Sequence, residues 1–184
     1  MESYTMVNVG SVHGRFQPFH NDHLEYILEA KKRCKFLWIG ITKHDLIEQN
    51  KYLNSSHRNG AYSNPYKYGD RVRMIRASLL SNGVEQDEFE FTPFPIDTPD
   101  LMKNFLPTSV HCYTTIREKW NITKINILKE LGYTVEVLWE DYSPKKVSGS
   151  VIRELIMAGN DQWEAFVPAP VRKIIKELQI EKNS

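Results

Sequence analysis

The chain has 184 residues, 41% of them hydrophobic and 26% charged, with 24 lysines and arginines set against 23 aspartates and glutamates. That balance suits one soluble globular domain over residues 1–184 and excludes a generally basic, nucleic-acid-coating surface, so any cationic chemistry must be local. Cys34 and Cys112 are too few for a disulfide framework and lack paired zinc spacing, no apolar run approaches the ~20 residues of a membrane span, and "MESYTMVNVG" has no signal-peptide pattern. The expected setting is a reducing cytoplasm, with no nucleic-acid or membrane partner, and the oligomeric state stays open, a homo-oligomer included.

In chain order, "MVNVGSV" is a short β-branched run that predicts a strand, broken by Gly14 and Pro18. "HLEYILEAKKRC" then places Leu24, Ile27, Leu28 and Lys31 at helical spacing, and "FLWIGIT" is apolar throughout, as a strand covered on both faces of a parallel sheet should be. Residues 43–68 are polar and aperiodic, a loop long enough to suggest a lid. "DRVRMIRASLLSNG" predicts a helix with Val72, Ile75 and Leu79 on one face. "DEFEFTPF" predicts a third strand, "SVHCYTTI" a fourth, "KWNITKINILKELG" a helix stopped at Gly132, and "YTVEVLW" a fifth strand. Beyond the loop "EDYSPKKVSGS", helices are expected at "VIRELIMAG", near "DQWEAFV" and at "PAPVRKIIKEL". The alternation gives an α/β fold, a Rossmann-like doubly wound parallel sheet of about five strands with a helical C-terminal end at about 149–184.

Two stretches carry chemistry. In "HGRFQPFHNDH", Gly14 lets the backbone approach a ligand, Arg15 offers a forked cation, and a helix starting near Asn21 aims free N–H groups and a positive dipole end at the same space. His20 and His23 are three apart, so a helix starting between them lets both rings face one crevice. Such a pair beside an anion site suits phosphoryl or nucleotidyl transfer, in which stabilising charge on the transferring phosphate is most of the catalysis. Taken alone, the pair reads more simply as a turn cap at His20 and an exposed helix residue at His23, with Arg15 in a surface ion pair. A metal site fits less well, because zinc helices space histidines four apart beside a third ligand. In "KKVSGSVIR", residues 145–153, Ser148 and Ser150 can cap a helix and offer hydroxyls, with Arg153 one turn in. That makes a second anion site, or simply a capped helix with a solvated arginine.

"GRFQPFHNDH" resembles the "GRFQPxHxGH" signature of the HxGH nucleotidyltransferase superfamily, the cytidylyltransferase-like proteins, and "VSGSVIR" is similar to its C-terminal "ISxTxxR" motif. "NPYKYGDRVRMI" resembles the "NPFTxGERxxMI" of the archaeal-type nicotinamide mononucleotide adenylyltransferases, and the tail from Ile152 resembles their ending. The resemblance spans nearly the whole chain. It implies attack by the phosphate of an acceptor on the α-phosphate of a nucleoside triphosphate, with Mg²⁺, releasing pyrophosphate. By motif, His20, His23 and Arg153 would be catalytic, and Gly14, Arg15, Phe16, His20, His23, Ser148, Ser150 and Arg153 would hold the nucleotide. Acceptor candidates are Asp97, Phe105 and Arg71, the last also readable as a helix-start arginine paired with Asp70. No protein metal ligand is implied.

The departures fall around the acceptor. Asp22 replaces the motif glycine, Ser63 the basic residue before "NP", with Arg58 or Lys67 as substitutes, and Thr114-Thr115 the usual "GN". The tryptophan that stacks on nicotinamide has no counterpart in "PIDTPDLMKNFLP", where Phe105 alone could stand in. The leading expectation is therefore an adenylyltransferase using ATP on nicotinamide mononucleotide or a similar small phosphorylated acceptor, in NAD biosynthesis. Its competitor is a cytidylyltransferase using CTP on a phosphate or phosphonate. A nucleotide-binding regulator without catalysis stands behind both.

Overall fold

In the computed structural model five strands lie parallel in one sheet: β1 (Val7–Gly14), β2 (Cys34–Ile41), β3 (Phe89–Pro93), β4 (His111–Ile116) and β5 (Val135–Glu140), in the spatial order β3-β2-β1-β4-β5. The structure describes residues 5–44, 64–142 and 147–183, so most of the expected 43–68 lid, Arg58, Ser63 and Lys145 lie outside it. Strands and helices alternate along the chain: α1 (Asn21–Lys31), α2 (Tyr68–Leu80), α3 (Met102–Phe105), α4 (Lys119–Glu130), α5 (Gly149–Met157) and α6 (Ala169–Asn183). This is the expected α/β Rossmann-like fold. Among the described residues no helix is long and apolar enough to cross a membrane.

By internal contacts the chain divides into two compact units, each discontinuous in sequence. The first, 1–14 with 25–43 and 85–144, contains the sheet. Its register pairs Val12 with Ile39, His13 with Gly40 and Ser11 with Cys112. One core cluster gathers Phe94, Ile96, Met102, Leu106, Val110, Cys112, Leu128 and Tyr133, with Val9, Trp38 and Val135 packed against it. Burying such side chains contributes about 1.5–3 kcal/mol each. All five strands end on the same edge, and the order reverses between β1 and β4, the switch point at which such sheets bind ligands.

The second unit comprises 15–24, 44–84 and 145–184. Here α2 packs on α6, with Met74, Ile75, Leu79, Val171, Ile174 and Ile175 buried and an Arg73–Glu177 ion pair of 2.9 Å at the rim. A short 3-10 turn, Asp161–Phe166, buries Trp163 beside α5.

Candidate active site

The loop that leaves β1 belongs to the second unit from Arg15 onward. Phe16 is fully buried with φ of 53°, in the left-handed region, which costs a bulky residue about 1–3 kcal/mol and persists only where neighbours hold it. Its neighbours do so. The ring meets Phe19 edge-on at 5.8 Å and His23 at 5.0 Å between centroids. Helix α1 starts at Asn21, between the two histidines, with the His20 carbonyl accepting from Leu24 N–H at 3.1 Å. His20 therefore caps the helix and His23 sits in its first turn, and their rings stack with centroids 3.6 Å apart. Asp22 lies in the same first turn, where the helix dipole favours a carboxylate.

The loop is clamped from three directions, twice through its backbone carbonyls and once through the Gln17 side chain. Arg71, on α2 and without exposed surface, donates from Nη1 to the Arg15 carbonyl at 2.9 Å. Burial, with Arg15's charge adding to it, pushes the Arg71 guanidinium down to about 10. Gln17 exchanges two hydrogen bonds with the backbone of Tyr66, donating at 2.8 Å and accepting at 3.0 Å. Arg153, buried on α5, donates from Nη1 to the Gln17 carbonyl. Gly149 makes that approach possible, since a Cβ there would stand 2.6 Å from the same carbonyl oxygen.

Helix α5 begins as its sequence predicts. Ser148 caps it, accepting from Val151 N–H at 3.4 Å, and its hydroxyl pairs with that of Ser150 at 2.8 Å. The second unit thus holds Arg15, Phe16, His20, His23, Arg71, Ser148, Ser150 and Arg153, two helix N-termini among them. Three arginines, two imidazoles and two hydroxyls are a donor set suited to phosphate oxygens. Among the described residues no three His, Cys, Asp or Glu side chains cluster as a metal site.

The remaining candidates lie in the first unit. Gly14 ends β1, its carbonyl accepting from Thr42 N–H at 3.0 Å. Asp97, exposed after β3, pairs with Lys43 at 2.8 Å. Phe105 is 37% exposed, and its carbonyl accepts from the Thr92 hydroxyl at 3.3 Å. Arg71 is separate from these acceptor candidates in the division of the chain, and Asp70, its expected partner, accepts instead from Lys67 N–H at 2.9 Å. Sequence reasoning missed Gln17, Tyr66 and Gly149. The one available signal was an uncharged amide inside an otherwise cationic loop.

Residues 12–155 match the family model described as Cytidylyltransferase-like. A phosphonoformate cytidylyltransferase of Streptomyces viridochromogenes is 32% identical over 183 residues, spanning 100% of this chain and 98% of that protein. A nicotinamide-nucleotide adenylyltransferase of Saccharolobus solfataricus is 34% identical over 169 residues, 90% of this chain and 88% of the relative. Among solved structures, a bifunctional NMN adenylyltransferase/ADP ribose pyrophosphatase from Francisella tularensis shares the fold with a TM-score of 0.61 at 19% identity, covering 84% of this chain and 43% of that one. The sheet order, the histidine pair at a helix start and these likenesses agree: the chain belongs to the cytidylyltransferase-like family and is a nucleotidyltransferase.

Proposed function

We propose that the protein moves a nucleoside monophosphate from a nucleoside triphosphate to a phosphorus-borne oxygen of a small acceptor. The acceptor oxygen attacks the α-phosphorus, the bond to the bridging oxygen breaks, and pyrophosphate leaves with that electron pair. The observation that carries this reading is the stacked His20–His23 pair at the start of α1, in the same unit as the capped start of α5 and Arg153. His20 and His23 would donate to the phosphate oxygens as charge grows there. Arg15, Ser148, Ser150 and Arg153 would hold the triphosphate tail, Gly14 and Phe16 would shape the nucleotide site through the backbone, and Arg71 would position the loop by gripping the Arg15 carbonyl.

Mg²⁺ fits this donor set as an ion held by the triphosphate itself, since it keeps most of its waters and binds substrate phosphates rather than all-protein cages. When bound it would neutralise charge on the leaving pyrophosphate. One solved relative, the Francisella tularensis enzyme, is described as complexed with AMP and a manganese ion.

Adenylyl transfer from ATP to nicotinamide mononucleotide, a step of NAD biosynthesis, is supported by the archaeal adenylyltransferases, 34% and 30% identical over about nine-tenths of the chain. A second reading, cytidylyl transfer from CTP to a phosphonate, is favoured by two observations. The relative matched along the whole of both chains is named for that reaction, and the buried Thr114 stands in place of the adenylyltransferase "GN". Incubation with Mg²⁺ and each of ATP, CTP, GTP and UTP across a panel of phosphorylated and phosphonate acceptors, following pyrophosphate, separates the two. Turnover with CTP alone removes the adenylyl reading. Tight nucleotide binding without any turnover removes both in favour of a regulator.

A further inference from the structure

His13 is the next-to-last residue of β1 and only 5% exposed. Its ring lies flat on Phe94, centroids 4.3 Å apart and planes within 7°. Phe94 in turn lies over Gly40, the register partner of His13, where a Cβ would come within 2.5 Å of the Phe94 ring. From the backbone side, His13 N–H donates to the Tyr26 hydroxyl at 3.3 Å, and that hydroxyl donates to the Tyr113 carbonyl at 2.6 Å. The imidazole is thus firmly placed, yet neither ring nitrogen has a hydrogen-bond partner among the described residues. Leaving a buried polar atom unsatisfied costs about 1–3 kcal/mol, so it calls for a reason.

Lys124 supplies a second half. It lies on α4 one turn before Leu128, which is in the core cluster, so its stem runs along the face that packs on the sheet. The side chain is half-buried, and burial of the His13 ring, with the charge of Lys124 adding to it, holds that imidazole well below its ordinary range and so neutral. Burial pulls its ammonium down to about 8, and no carboxylate among the described residues pairs with it. His13 lies one residue before the end of β1 and Lys124 follows β4, the two strands between which the order reverses. Two N–H donors following the strands of the switch point, one of them an ammonium with no anion of its own, are incomplete without one.

We propose that His13 and Lys124 form an anion subsite within the sheet unit that takes a carboxylate carried by the acceptor, in addition to its reacting phosphorus oxyanion. A planar carboxylate offers two oxygens, one to the imidazole N–H in the ring plane and one to the ammonium. The proposal rests on the reading of the protein as a nucleotidyltransferase for small phosphorus oxyacids. It selects acceptors that are carboxylates as well, whether a carboxyphosphonate or a nucleotide bearing a carboxylated ring.

The test is calorimetric titration of the full chain, without nucleoside triphosphate, using two matched pairs that differ by one carboxylate: phosphonoformate against methylphosphonate, and nicotinic acid mononucleotide against nicotinamide mononucleotide. The expected result is at least a tenfold preference for the carboxylate member of one pair, the responsive pair identifying the source. Lys124→Met should reduce the preference to within twofold, and the His13 ring nitrogen signals should move only with the carboxylate member. No preference in either pair, a preference undiminished in Lys124→Met, or a His13 ring indifferent to the carboxylate overturns the proposal. Both readouts are equilibrium binding, so failure of the pyrophosphate assay refutes nucleotidyl transfer without touching the subsite.

Discussion

Gly149→Ala tests whether the contact between the start of α5 and the first loop holds the site together. A Cβ at this position would stand 2.6 Å from the Gln17 carbonyl oxygen and 3.3 Å from Arg153 Nη1. Ordinary contact begins near 3.4 Å, so the carbonyl must retreat by about 0.8 Å. It is backbone, tied by the Gln17 side chain to Tyr66, and cannot yield as a flexible side chain would. The charge-assisted bond from Arg153 is then lost, at a cost of about 1.5–3 kcal/mol, against which alanine's better helix propensity returns under about 1 kcal/mol. A net loss of about 2 kcal/mol lowers Tm by about 4–8 °C for a chain of this size. Displacing the loop by nearly an ångström should also lower turnover about tenfold or more. Thermal unfolding followed by circular dichroism, with initial pyrophosphate release, reads both effects. Gly69→Ala, on α2 with nothing within 4 Å of its Cβ, is the control and should leave both intact. If Gly149→Ala unfolds within a degree of the parent and keeps most of its rate, the clamp argument is refuted.

His23→Ala should lower turnover by about two to three orders of magnitude, as removal of one preorganised donor does, with Tm little changed because the ring is only half-buried. Arg71→Met should lower kcat at least tenfold while acceptor KM stays within twofold, the pattern of a positioning residue; a large acceptor KM effect would instead make it a binding group. Lys124 makes stability depend on pH. Below about pH 8 it is charged in both states and the burial penalty is fully present; between about 8 and the ordinary lysine range the folded chain has shed a proton the unfolded chain still binds, so stability climbs with pH. Lys124→Met should be more stable than the parent at pH 7 and flat across that window, checked by urea unfolding at pH 7, 8, 9 and 10.

Elements whose signal is local were legible in the sequence. The apolar run at 36–42 is β2, the start of α1 at Asn21 falls between the histidines as their spacing required, and Ser148 caps α5. What could not be read are the pairings between distant segments. Arg71 sits like a helix-start arginine beside Asp70, but its guanidinium reaches the Arg15 carbonyl 56 residues away. Gln17 shows in the sequence only as an uncharged amide, because its partner is the backbone of Tyr66, which has no side-chain signature. His13 and Phe94 stack only because β1, β2 and β3 are neighbours, a fact of topology rather than of spacing. Clusters of charge thus mark the candidate site in the sequence, whereas the buried groups that hold its loop leave no local signal.

The second unit is built from three separate stretches of chain, and the contact from Gln17 to Arg153 spans 136 residues. During synthesis the loop at residues 15–20 precedes its last clamp, which arrives only with residues 147–183. Closing so long a loop must precede any reward from the contact, which places assembly of the site late in folding. A ribosome-bound chain halted before residue 147 therefore carries the histidine motif without the clamp from α5.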